Sequence, residues 1–136
     1  MTSIKINKPF SFSIDILESE DVLPSLKLWL NCALPSFGKK TLEINNEAWI
    51  ACRDWDKFID NLFKIMTREL DESILEDLSG NILIKISRIK EQYFLNFYFN
   101  KVGALGVGAK CEVNGLIEKD ELSNIIEKLN DFDKWW

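Results

Sequence analysis

Few residues in this chain could do chemistry. Its 136 residues include no histidine. That removes the commonest general base, the serine and cysteine triads, and most zinc sites. The three cysteines, Cys32, Cys52 and Cys111, are far apart and odd in number, and each sits in or beside an apolar strand pattern. No two have metal-ligand spacing, so buried free thiols and a reducing compartment are expected. Gly103 and Gly108 have the separation of a phosphate-binding loop. However, Ala109 and Lys110 stand where lysine and then serine or threonine belong, and no helix follows. Carboxylates remain. Asp56 and Asp60 fall four apart on the solvent face of a helix, whereas paired acids that work together usually converge from separate elements. The residues therefore predict no catalytic site, no metal site and no cofactor.

The elements around them centre on Ile82 to Val113, which reads as three strands. Ile82, Ile84 and Ile86 alternate with Leu83, Lys85 and Ser87, and Tyr93, Leu95, Phe97 and Phe99 alternate with Phe94, Asn96, Tyr98 and Asn100. Leu105, Val107, Ala109, Cys111 and Val113 continue the alternation, with Gly106 and Gly108 on the other face. Short polar or glycine-bearing connections predict antiparallel pairing, with Phe99 opposite Leu105 and Tyr98 opposite Gly106. The face carrying Phe94 and Tyr98 is either covered or an exposed aromatic platform.

Upstream, Phe10–Ile16 and Leu26–Cys32 read as strands flanking an acidic loop at Glu18–Asp21. Leu42 and Ile44 carry a third strand, reached through a turn at Pro35–Gly38, with Trp49–Ala51 extending it past a bend at Asn45-Asn46. Asp54 has the position of an N-cap. Trp55, Phe58, Ile59, Leu62, Phe63 and Met66 form one apolar stripe of a helix. Ile74, Leu75 and Leu78 suggest a short strand leading to the Ser79–Asn81 turn or else the tail of a helix, and Asn114-Gly115 suggests a turn. A second helix carries Leu122, Ile125, Ile126 and Leu129. The expectation is one α+β domain over 1–136. It would hold an antiparallel sheet of about six or seven strands and helices at about 54–69 and 120–132. No internal repeat is visible. Phe132, Trp135 and Trp136 would fold onto a core edge or form a sticky patch.

Net charge is −5. Eight acids and three bases stand between Asp54 and Asp77, and seven acids and three bases between Glu112 and Trp136. Nucleic-acid binding wants the opposite sign, whereas a basic protein partner is easier. The acids also keep helix surfaces solvated. No apolar leader or membrane-length stretch is present, so a cytoplasmic protein without membrane contact is expected.

As a pattern of elements, residues 10 to 133 resemble bacterial immunity proteins encoded beside wall-associated and contact-dependent polymorphic toxins. The resemblance is carried by Phe12–Ile16, Leu28–Asn31, Trp49, Asp54–Phe58 with Leu62, the Ser79–Asn81 turn, and the Ile82–Ile86 and Tyr93–Phe99 strands. It implies a cytoplasmic, non-catalytic protein that binds one cognate toxin domain, often a nuclease. Such families vary at the toxin-facing surface, so no binding residue transfers by motif. Charge alone singles out Glu18, Glu20, Asp21, Glu69, Asp71, Glu72, Glu76 and Asp77 as candidate contacts to a basic toxin domain. The alternatives are a small-ligand or enzymatic domain with a pocket between sheet and helices, and a subunit anchored by its terminal tryptophans.

Overall fold

The computed structural model describes residues 3–34 and 42–131, the side chain of Ala104 excepted. The order of elements is the same twice over. Strands β1 (Ser3–Ile6), β2 (Ser11–Glu20), β3 (Ser25–Ala33) and β4 (Glu43–Ala51) lead directly into helix α1 (Cys52–Met66). Strands β5 (Glu72–Glu76), β6 (Ile82–Ile89), β7 (Gln92–Val102) and β8 (Gly108–Ile117) then lead into α2 (Lys119–Asn130). Each set of four strands is an antiparallel meander in sequence order.

The expected single sheet of six or seven strands is thus two sheets of four. The physical cause lies at Ala51. There the period-two pattern of β4 passes without a turn into the helical stripe of α1, which ends the first meander. The sequence reading also missed β1, a four-residue edge strand with Ile4 and Ile6 buried.

A constant offset relates the two halves. Trp55, Phe58, Ile59 and Leu62 on α1 match Leu122, Ile125, Ile126 and Leu129 on α2, each pair 67 apart in sequence, and all eight are buried. The same offset carries Ile50 to Ile117 and Ala48 to Gly115. The halves also grip each other. Pro9 and Phe10, between β1 and β2, lie against Gly115 of β8. In return Leu78, between β5 and β6, donates its backbone N–H to the carbonyl of Trp49 in β4 at 2.8 Å.

The inner faces of both sheets and the stripes of both helices form one apolar cluster. Phe12 of β2 meets Phe97 of β7 edge-on, with ring centroids 5.5 Å apart. Trp55, Leu62 and Ile65 from α1, Leu122 from α2, and Leu26, Leu28 and Leu30 from β3 are almost fully buried in it. Each such side chain contributes about 1.5–3 kcal/mol relative to exposure.

Local assignments shift by small amounts, for clear reasons. Helix α1 begins at Cys52, so Ala51 holds the N-cap position and Asp54 lies in the first turn, complementing the helix dipole rather than capping it. β4 runs straight through Asn45-Asn46. Asn114 and Gly115 lie within β8, because the bare Cα of Gly115 is needed where Pro9 crosses. The largest correction concerns the β7–β8 register. Phe99 faces Cys111 and Tyr98 faces Glu112. Leu105 and Gly106 instead make a turn with φ of 63° and 75°. Phe94 and Tyr98 remain on the outside of their sheet, half-buried among cross-strand neighbours such as Leu116 and Leu83. The Pro35–Gly38 turn and Phe132, Trp135 and Trp136 lie outside the described residues.

Candidate functional site

Three connections meet at one end of the molecule. The β2–β3 turn is tied to the start of α1, where the Cys52 N–H donates to the Pro24 carbonyl at 2.9 Å. The β5–β6 turn joins them through the bond from Leu78 to Trp49. Between them opens a shallow concavity of about 330 Å³, lined by Leu23, Pro24, Ser25, Ala51, Arg53 and Leu78. Its apolar rim is unusually open to water: Val22 is 86% exposed, Leu23 78% and Leu78 62%. Glu20 and Asp21 stand exposed on the hairpin tip, and Glu76 stands exposed at the end of β5. Arg53 is a positive group in the concavity, and its Nε reaches Asp54 at 3.9 Å.

A second groove, of about 430 Å³, runs beside the first between α1 and β5. Asp54, Glu72 and Glu76 line it with Lys57 and the half-exposed Ile74. The fold therefore brings three separate sequence runs to neighbouring positions, with Glu20 and Asp21 on the turn that lines the first concavity and Asp54 and Glu76 in the second.

The other acids picked out by charge lie elsewhere or are engaged internally. Glu18 is on the outer face of the first sheet, 3.8 Å from Lys27, which also reaches Glu47 at 3.7 Å. Glu69 follows α1, where its N–H closes a turn onto the Lys64 carbonyl. Asp71 accepts from Arg88 at 2.7 Å, and Glu72 pairs with Lys85 at 3.6 Å. Asp77 is buried. Its carboxylate accepts from the N–H of Asn81 at 2.9 Å, the N–H of Ile82 at 3.0 Å and the Ser79 hydroxyl at 2.6 Å. It is the internal clamp of the β5–β6 turn and presents nothing to a partner.

Sequence reading missed the apolar centre of this end. Val22-Leu23-Pro24 was legible as an apolar run interrupting an acidic turn, where solvated loops ordinarily carry polar residues. Leu78 belongs by sequence to a short strand or a helix tail, but it lies in the turn after β5.

Two of the three thiols, Cys32 and Cys52, are not poised for reaction. Burial pushes Cys32 up to about 11, with a further contribution from nearby Cys111. Burial also raises Cys52, to which the Asp56 carboxylate adds and the cysteine's own backbone N–H subtracts. Thiols held protonated are poor nucleophiles. Among the described residues no group of three or more potential ligands could hold a metal ion, and no helix is long and apolar enough to cross a membrane. No protein-family model, curated protein or solved structure matches the chain.

Proposed function

We propose that this chain is a non-catalytic immunity protein that binds and neutralises a cognate bacterial toxin domain in the cytoplasm. One observation carries the reading. The β2–β3 and β5–β6 turns, distant in sequence, converge on one concavity lined by exposed Leu23 and Leu78, with exposed Glu20, Asp21 and Val22 on the first turn and exposed Glu76 at the end of β5 leading into the second. An apolar centre with a charged rim is the anatomy of a protein-docking surface. The acid rim selects a basic partner and disfavours nucleic acid. A basic toxin domain such as a nuclease has the matching charge. The small-ligand alternative draws no support from the interior. The space between sheets and helices is filled by Phe12, Trp55, Leu62 and Phe97.

The test is co-expression with the toxin domain encoded beside it. The expected result is a one-to-one complex and survival of cells that the toxin otherwise kills. Glu20→Lys combined with Glu76→Lys should weaken the complex by tenfold or more. Absence of both complex and rescue overturns the proposal.

A further inference from the structure

The β7–β8 hairpin outruns the sheet it belongs to. β6 ends its pairing at Ile82, opposite Phe99, and the Asn100 N–H makes a last bond to the Asn81 carbonyl at 2.8 Å. Beyond that point β7 and β8 pair only with each other, from Asn100↔Lys110 to Val102↔Gly108. Every described side chain from Lys101 to Lys110 is exposed. The result is a free-standing arm.

Its composition is unusual for a solvated turn. Leu105 is 101% exposed, and Val102 and Val107 are each 70% exposed. Leu105 also holds φ at 63°, in the left-handed region that leucine enters at a cost. A residue type disfavoured both by its exposure and by its backbone gains nothing within the monomer. Lys101 and Lys110 flank this apolar tip, and among the described residues neither makes an ion pair.

We propose that a second copy of this chain receives the arm. The arm rises beside Asn81, three residues from Leu78 and hence next to the acid-rimmed concavity. The two surfaces are complementary. One is an apolar tip between lysines; the other is an apolar hollow whose one charged lining residue, Arg53, lies beside Asp54, while exposed Glu20, Asp21 and Glu76 stand on the adjoining turn and strand end. Because both sit at one end of the molecule, two copies meeting end to end exchange both contacts about a two-fold axis, which closes the assembly as a dimer. Val22, Leu23, Leu78, Val102, Leu105 and Val107 from both copies supply on the order of 1,000 Å² of surface, as a stable interface needs. Contact is through the tip, since lysines along an exposed strand oppose edge-to-edge strand addition. The dimer covers the surface assigned above to the toxin, so the two associations compete. It does not depend on that assignment, because it requires only this chain.

The experiment is sedimentation velocity on the purified full chain, from micromolar to millimolar and at low and high salt. A monomer–dimer equilibrium that strengthens at low salt is expected. Leu105→Asp should weaken it at least tenfold. Aspartate tolerates the left-handed conformation, so the fold is kept, and circular dichroism checks this. The decisive arm uses two variants. One reverses the arm (Lys101→Glu with Lys110→Glu), and the other reverses the rim (Glu20→Lys, Asp21→Lys and Glu76→Lys). Each alone should be monomeric, and an equimolar mixture should form a heterodimer in which both contacts are restored. A chain that stays monomeric at millimolar concentration and low salt overturns the proposal. So does a dimer indifferent to Leu105→Asp, or a mixture that fails to pair.

Discussion

The ring of Pro9 lies on the bare Cα of Gly115, across the boundary between the two halves. A Cβ at 115 would stand 2.5 Å from the Pro9 Cβ and 3.2 Å from a ring carbon of Phe10. Neither neighbour is the free end of a flexible side chain. Gly115→Ala should therefore destabilise the fold by about 1–3 kcal/mol, the usual cost of overpacking. Gly108→Ala is the control, because its nearest neighbour is the Lys101 carbonyl at 3.5 Å, an ordinary contact. Urea denaturation of the two variants compares them directly.

Asp77 holds its turn with three bonds, two of them to backbone N–H groups. Asp77→Ala leaves those donors without their acceptor at a partly buried site. A loss of about 1–3 kcal/mol is expected. Because Leu78 is the next residue and makes the bond to Trp49, hydrogen exchange should speed up at both Ile82 and Leu78. Exchange unchanged at Leu78 would separate the clamp from the contact between halves.

Cys32 sets a limit on alkaline stability. Its thiol titrates near 11 in the folded protein against an ordinary value of 9.0. Below pH 9 both folded and unfolded chains keep the proton, and stability is unaffected by this group. Above pH 9 the unfolded thiol loses its proton first, so the unfolded state binds fewer protons and stability falls until about pH 11. Cys32→Ala or Cys32→Val should flatten the fall in melting temperature over that window. In the native protein the half-buried Cys111 should react with a thiol reagent before Cys32 or Cys52 does.

The placement of the acids should show in association rates. Reversing Glu20, Asp21 and Glu76 to lysine should slow binding of a basic toxin domain, most at low salt. Reversing Glu69 and Asp71 should do much less. Asp71 already pairs with Arg88, and Arg68 and Glu91 beside it pair at 2.7 Å, so that region is locally balanced. Stopped-flow association at two salt concentrations distinguishes the regions.

Period and charge made much of the fold legible. The alternation in β2, β3, β6 and β7 and the apolar stripes of both helices gave their identities and buried faces. Three features stayed hidden. The sheet divides where β4 becomes α1, and the strand pattern itself carries no mark of which sheet a strand joins. Asn114-Gly115 has the composition of a turn, but Pro9 fixes it as strand. The arm's register follows the turn geometry at Leu105 and Gly106, where a six-residue slip keeps the same alternation. The repeat is faint because among the matched pairs only Ile50, Ile59 and Leu62 keep their identity in their counterparts, whereas Trp55 answers Leu122, Phe58 answers Ile125 and Ala48 answers Gly115. The candidate site was half legible. Its acids were visible, but their convergence and the leucines among them required the crossing of the two turns.

The exchanged contacts between halves also bear on how the molecule comes apart. Each meander forms from neighbours in sequence, which favours quick local assembly. Yet the apolar face of either one is covered only when the other is present. A chain cut between Thr67 and Asp71 would leave two fragments of similar design, each with a large uncovered face and one strap that fits only its counterpart. They would be obligate complements that regain structure on mixing. The intact protein should lose its structure in one cooperative step, with neither half surviving the other.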